Sequence, residues 1–395
     1  MYLIIDGNAV INHIFRTVTY ELSKAPGRIF ESDESGELIL SGRAVDYFDD
    51  FITKYIRNII YPFKNECESV YFVFDYPKYW RKMYIEWFFK KEEHSHMEAF
   101  EYKQRPDTVD QHKKKKEIEP FFRYTREVLV PQLESVPGVY SIKMKSAEGD
   151  DVITVLSDIL CGDIVIWSVD TDLAQHVGRF ADKSVIMVTP NQHKRPRAVY
   201  LSESMANNNE SFTDLMNIDV TGSRGIMGKV EYLTSYKQYD KRIIDPAANI
   251  FIKVLSGDKG SDNIPSTYTW KAGSRTMTLT EKVATAICER LRDTYSSEDI
   301  LSKIESKDDG FMELLLSYIV DAHKNLSSAD EDKLRDVKNN IYLNYKIIRL
   351  KRGCIPNSLY DRIEEAVKSK DNTGRFDMSE YENIMFDPLK NIKRK

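Results

Sequence analysis

The chain has 395 residues, 42% apolar and 30% charged, with a formal net charge of −5. That length exceeds one typical domain and that apolar content can fill a sizeable core, while the charge density excludes an integral membrane protein. No stretch approaches the roughly 20 apolar residues a spanning helix needs, and an N-terminus without a basic n-region, carrying Asp6, predicts no signal peptide. Cys67, Cys161, Cys288 and Cys354 are scattered without a CxxC pair, which predicts reduced thiols and a cytoplasmic protein. The net charge hides a separation: basic residues gather at Arg81-Lys82, Lys90-Lys91, Lys113 to Lys116, His193-Lys194-Arg195 and Lys390 to Lys395. An acidic total therefore does not exclude nucleic acid as a partner.

In chain order, apolar β-rich runs at 2–5, 69–74, 138–143, 163–169 and 184–188 alternate with helical patterns at 44–60, 118–133 and 149–160. Several of the runs lack a polar face, as strands buried on both sides of a parallel sheet do. The alternation predicts an open α/β fold with its site at the carboxyl ends of the strands. Residues 25–41 and 207–240 read as polar insertions. From 247 onward the pattern is helical, at 281–292, 298–304, 310–324, 331–344 and 358–368, with a linker at 371–374 and a short tail.

Nine carboxylates fall in five clusters on this frame. Asp6 and Asp75 close two strand runs. Glu148, Asp150 and Asp151 open a helix, Asp170 and Asp172 follow another strand, and Asp258 and Asp262 lie in Gly257-Asp258-Lys259-Gly260-Ser261-Asp262-Asn263-Ile264-Pro265. A lone Asp at a strand end is ordinarily a turn or cap residue. Several converging from separate strands would repel one another unless divalent cations sat among them. An all-oxygen set suits Mg²⁺, and two such ions about 4 Å apart can activate a water and stabilise a leaving oxygen in phosphoryl transfer. No His/Cys set for zinc, Gly-rich phosphate loop or GxSxG elbow competes, and His94-Ser95-His96 reads as a solvated part of a charged helix.

As a set, Leu3-Ile4-Ile5-Asp6-Gly7-Asn8, Phe74-Asp75, Ala147-Glu148-Gly149-Asp150-Asp151, Ser168-Val169-Asp170-Thr171-Asp172 and the Gly257 to Pro265 segment resemble, in order, the structure-specific 5′ nucleases (flap endonuclease family), most of all the T-even-phage RNase H type. Tyr79-Trp80-Arg81-Lys82 and Glu119-Pro120-Phe121-Phe122 add to the likeness, which covers most of 1–195 and 245–370. The resemblance implies a PIN-like α/β domain at 1–200 with a helical arch at about 78–120, and an insertion at 201–245. A helical duplex-DNA-binding domain with a helix–three-turn–helix would occupy 246–370, and a tail 371–395. It implies two Mg²⁺ ions, with Mn²⁺ able to substitute. Asp6, Asp75, Glu148, Asp150 and Asp170 would serve the first ion, with Asp151 beside them. Asp172, Asp258 and Asp262 would serve the second. The implied activity is 5′→3′ exonuclease and flap endonuclease cleavage of RNA–DNA hybrids and duplex DNA, removing primers in phage replication, by a monomer.

Two departures from the family pattern stand out. Asp258 and Asp262 are four apart rather than three, which weakens direct ligation by Asp262. The arch motif has two candidates, Phe89-Lys90-Lys91 and Tyr102-Lys103-Gln104-Arg105. Arg81, Lys90, Lys103, Arg105, Lys113, Lys114, Lys271, Arg275 and Lys282 are the expected nucleic-acid contacts, neutralising phosphates without reading bases. The segment at 384–395 would dock on a sliding clamp or single-strand-binding protein, or fold back on its own domain. The competing readings are a structure-specific DNA-binding protein without turnover, and an unrelated metal phosphohydrolase on a parallel sheet.

Overall fold

The computed structural model describes residues 1–24, 27–94, 97, 99–103, 109–190, 196–206, 225–258, 262–272, 275–322, 331–370 and 374–386, with the side chains of 109–115 and 270–276 outside this description. Two compact units emerge: Met1–Tyr76 with Asp107–Ile243 and Ser358–Lys395, and Pro77–Pro106 with Ile244–Asn357. This division differs from the linear one expected, since 77–106 belongs with the helical unit and the last segment with the first.

Among the described residues, ten strands build the first unit: β1 (Tyr2–Asp6), β2 (Phe30–Ser32), β3 (Leu38–Leu40), β4 (Ser69–Phe74), β5 (Val139–Lys143), β6 (Ile164–Trp167), β7 (Gly178–Arg179), β8 (Ser184–Thr189), β9 (Ala198–Ser202) and β10 (Asp240–Ile244). The main sheet runs β10-β9-β8-β6-β1-β4-β5, with β7 paired to β8. The pairs β1–β4, β1–β6, β4–β5 and β6–β8 are parallel, whereas β8 runs antiparallel to β7 and β9. Leu3, Ile4, Ile5, Val70, Ile164, Val165 and Ile166 are wholly buried, as both-face coverage of a parallel sheet requires.

Register decides where the acids lie. Asp6 stands opposite Val73 of β4, and Ile5 opposite Trp167 of β6, so the residues after all three strands emerge at one edge. The chain winds from β1 through β4 to β5, then returns to the other side of β1 at β6. That reversal is a topological switch point, where the crevice of an open α/β sheet forms. Around the sheet, Phe121 is fully buried and packs edge-on against Phe15, Phe30 and Phe48 at 4.9–6.1 Å, so Phe121→Ala would cost about 3–5 kcal/mol.

Two expected insertions are more ordered than their composition implies. Within 25–41, Phe30–Ser32 pairs with Leu38–Leu40 as a hairpin. Its polar turn is organised by Asp33, whose Oδ1 accepts from the amides of Ser35 and Glu37 at 2.9 Å. In the second insertion 207–224 lies outside the described residues, but Gly225–Glu231 is helical and β10 becomes the edge of the main sheet. The chain end also folds back onto the first unit: the Tyr381 hydroxyl donates to the Thr53 carbonyl at 3.0 Å, and Met385 is buried. The docking peptide expected at 384–395 thus begins inside its own core, while 387–395 lies outside the described residues.

The second unit packs the helices Trp80–Lys90, Pro246–Ser256, Glu281–Arg292, Ser297–Glu305, Asp309–Ala322 and Glu331–Ile348 around Phe251, Leu255, Ile300, Leu315 and Ile341. Buried Asn344 bridges the Val254 and Pro265 carbonyls at 3.0 Å each, tying a helix end to the loop after it. A hairpin of Thr269–Ala272 and Arg275–Thr278 precedes the Glu281–Arg292 helix. Among the described residues no helix is long and apolar enough to cross a membrane.

Candidate active site at the strand ends

Asp6 closes β1 and caps the Gly7–Ser23 helix: Oδ1 accepts from the Ala9 amide at 2.9 Å, and Oδ2 from the Ser168 hydroxyl at 2.7 Å. Asp75, just past β4, accepts from the Gly149 amide at 2.6 Å, which seats it on the positive end of the Gly149–Ile159 helix. Two glycines allow this crowding. A Cβ at Gly7 would collide with the Phe74 ring, and one at Gly149 would lie 3.0 Å from Asp75 Oδ1.

Two pairs of the remaining acids, Glu148 with Asp151 and Asp170 with Asp172, are tied by short local bonds. Glu148 and Asp151 form a capping box, with the Asp151 carboxylate accepting from the Glu148 amide at 2.9 Å. Asp151 is fully buried, so its placement is that of a helix-start residue more than an open ligand. Asp170 Oδ1 accepts from the Asp172 amide at 2.9 Å, and the Asp170 amide donates to Ser168 Oγ at 3.0 Å. Ser168, missed as a site residue, therefore links the β1 and β6 ends through one hydroxyl. It is fully buried, and a buried hydroxyl needs partners such as these. Thr154 and His176 were missed too. Thr154 Oγ1 donates to the Asp150 carbonyl at 2.7 Å and meets His176 Nε2 at 3.2 Å, joining the Asp150 helix to the turn that carries Asp172.

The electrostatics show which strand ends are close. Asp6 is pushed up from 3.8 to about 6, chiefly by burial and further by the charges of Asp75 and Asp170, against the opposing Ser168 and Ala9 bonds. Acids following two other strands thus act on Asp6. Oxygen donors under mutual repulsion are the chemistry a hard divalent cation fits. Among the described residues, however, no three His, Cys, Asp or Glu side chains form a ready metal-ligand set. Asp75, Asp151 and Asp170 instead accept from amides, and Asp6 from an amide and a hydroxyl.

Asp258 and Asp262 belong to the second unit. The amides and carbonyls of Asp258 and Ile264 pair at 2.9 Å and close the loop between them, with 259–261, the extra-residue segment, outside the described residues. Asp258 Oδ2 accepts from Lys253 Nζ at 2.8 Å. Asp262 accepts from the Tyr102 hydroxyl at 3.1 Å and lies 3.6 Å from Lys103 Nζ.

Arg81 requires correction. Expected at the nucleic-acid surface, it is 2% exposed, and its Nε donates to the Ile347 carbonyl at 3.0 Å. A guanidinium at the C-terminal end of the Glu331–Ile348 helix satisfies an orphan carbonyl and complements the dipole. His94 is likewise not solvated. It is buried, stacked on Phe88 at 3.9 Å, with Nδ1 3.1 Å from the Phe88 carbonyl; His96 lies outside the described residues. Lys90, Lys103 and Lys282 are exposed. Arg105 lies outside the described residues, as do the side chains of Lys113, Lys114, Lys271 and Arg275.

No protein-family model matches the chain, and no curated protein is similar to it in sequence. Among solved structures it is similar to the bacteriophage T5 D15 protein co-crystallised with metal ions, at 13% identity over 94% of this chain and 99% of that one, with a TM-score of 0.45. The same identity, TM-score and 94% share of this chain relate it to T5 5′-exonuclease with bound zinc and to the T5 D15 flap endonuclease in a pseudo-enzyme-product complex with DNA and metal ions, covering 99% and 98% of those chains. The likeness is loose, and the site stands on the strand order and carboxylates of this chain.

Proposed function

We propose that the protein is a metal-dependent phosphodiester hydrolase, a 5′→3′ exonuclease and flap endonuclease acting on RNA–DNA hybrids and duplex DNA to remove primers in phage replication. The observation that carries this reading is the coupling of Asp6 to Asp75 and Asp170 at the switch point of the parallel sheet. Asp6, Asp75, Asp170, Glu148 and Asp150 would hold one Mg²⁺, with Asp172 beside a second. Bound there, the ions supply a water activated for attack and stabilisation of the leaving oxygen. The chain's own groups set the geometry: Ser168 orients Asp6, the Gly149 amide fixes Asp75, and the Asp172 amide fixes Asp170. Assignment of Asp258 and Asp262 to the second ion rests on the sequence pattern alone. Exposed Lys90 and Lys282 are proposed to neutralise phosphates.

A 5′-labelled RNA–DNA hybrid tests this directly. Mg²⁺-dependent release of short products by the wild type, lost in Asp170→Asn, supports the nuclease. Hybrid binding without cleavage by the wild type would instead favour a DNA-binding protein on the same fold.

A further inference from the structure

A cavity of about 600 Å³ opens in the second unit, among the helices Trp80–Lys90, Ser297–Glu305 and Glu331–Ile348. That volume lies within the range of small-ligand sites. Two aromatic rings from the first helix, Tyr84 and Trp87, line it with centroids 5.4 Å apart, and Trp87 is 52% exposed. From the other side come Lys307, Arg335 and Lys346. The lining acid Glu305 is already engaged, accepting from Lys351 Nζ at 2.6 Å and from the Tyr345 hydroxyl at 3.2 Å. Glu93, the other lining acid, lies 3.5 Å from the lining lysine Lys91. Arg335 lies 3.2 Å from Asp332 on its own helix, so the cavity presents flat aromatic surface with its positive charge chiefly from Lys307 and Lys346.

Tyr342 also lines the cavity. Lys307 adopts φ +56° just past the Ser297–Glu305 helix, a left-handed position that glycine would occupy without strain. A lysine there places an ammonium 5.2 Å from the Tyr342 ring centroid. Strain retained at a lining residue points to a use for its side chain.

We infer that this cavity binds a nucleoside monophosphate, with the base against Tyr84 and Trp87 and the phosphate toward Lys307, Arg335 and Lys346. An aromatic face accepts any base by stacking, and fixed cations match a phosphate. An acidic peptide would use the cations but leave the rings uncovered. The same chemistry is offered by a free nucleotide or by the phosphorylated end of a strand. The site contains none of the strand-end carboxylates, so it stands or falls separately from cleavage.

Calorimetric titration of the full chain in EDTA tests it, using AMP, adenosine, inorganic phosphate, a short 5′-phosphorylated oligonucleotide and an acidic peptide. AMP is expected to bind with Kd of about 1 mM or tighter, and adenosine and phosphate each about tenfold more weakly. Tighter binding of the oligonucleotide than of AMP would identify a strand end as the source, and the reverse a free nucleotide. Trp87→Ala and Lys307→Gly should each weaken binding about tenfold, with Lys307→Gly leaving the melting temperature unchanged or raised because it relieves the left-handed backbone. Undetectable binding of both nucleotide probes, equal binding by wild type and both variants, or capture of the acidic peptide alone would overturn the assignment.

Discussion

Acidic residues in the two units sit in opposite surroundings. In the first, the charged neighbours that shift Asp6 are themselves acids, Asp75 and Asp170, and its oxygens accept from an amide and a hydroxyl. In the second, Asp258 faces Lys253 and Asp262 faces Lys103. A carboxylate beside a lysine is neutralised by its own chain, whereas one crowded by carboxylates has a use for a cation from outside. Counting acids along the sequence treats both groups alike, and their neighbours separate them.

The largest test of this contrast is catalytic. Asp6→Asn and Asp170→Asn should each lower cleavage of an RNA–DNA hybrid by about 10³-fold or more, as loss of charge at a metal-assisted site does. Asp262→Asn should lower it by less than about tenfold, the scale of a modest positional loss. Equal losses at Asp262 and Asp170 would erase the distinction between the units.

Stability should move the other way at Asp6. Its carboxyl titrates near 3.8 when unfolded and about 6 when folded, so the stabilisation from protonated Asp6 is fully present below 3.8 and lost as pH rises through 6. At pH 8 Asp6→Asn removes a charge confined among acids and should raise unfolding free energy by up to about 3 kcal/mol, the equivalent of the shift. Urea titrations of both proteins at pH 8 and pH 3 check this, with the difference expected to be largely gone at the lower pH.

In the second unit Arg81→Met should cost about 2 kcal/mol by leaving the Ile347 carbonyl without its donor, read by thermal unfolding. The folded variant should bind duplex DNA in EDTA as the wild type does. Lys282→Ala should instead weaken binding to all sequences and reduce the salt slope by about 1. Smallest of the set, Ser168→Ala should cost about 1 kcal/mol while raising the Asp6 pKa, since it removes one of the two bonds that oppose the shift. Carboxyl chemical shifts against pH would report it.

The parallel strands were legible because Leu3-Ile4-Ile5 and Ile164-Val165-Ile166 are apolar without alternation, which only a doubly covered sheet accommodates. The acids at their ends were legible for the same reason, as a charge following such a run must lie at the rim. The β2–β3 hairpin was not, because two three-residue strands around a polar turn carry too little period to detect. Burial of Arg81 was illegible because its partner is a backbone carbonyl 266 residues away. Ser168 was overlooked for a related reason: its two bonds join chain segments 162 residues apart as well as two apart.

Direct measurement of Mn²⁺ binding at pH 8, following free ion by electron paramagnetic resonance, tests the cation-collecting strand ends with least intervening chemistry. Saturable binding by the wild type, displaced by Mg²⁺ and lost in Asp170→Asn while that variant keeps its wild-type fold, is the predicted result. Absence of saturable binding by the wild type, or identical binding by the variant, would contradict it.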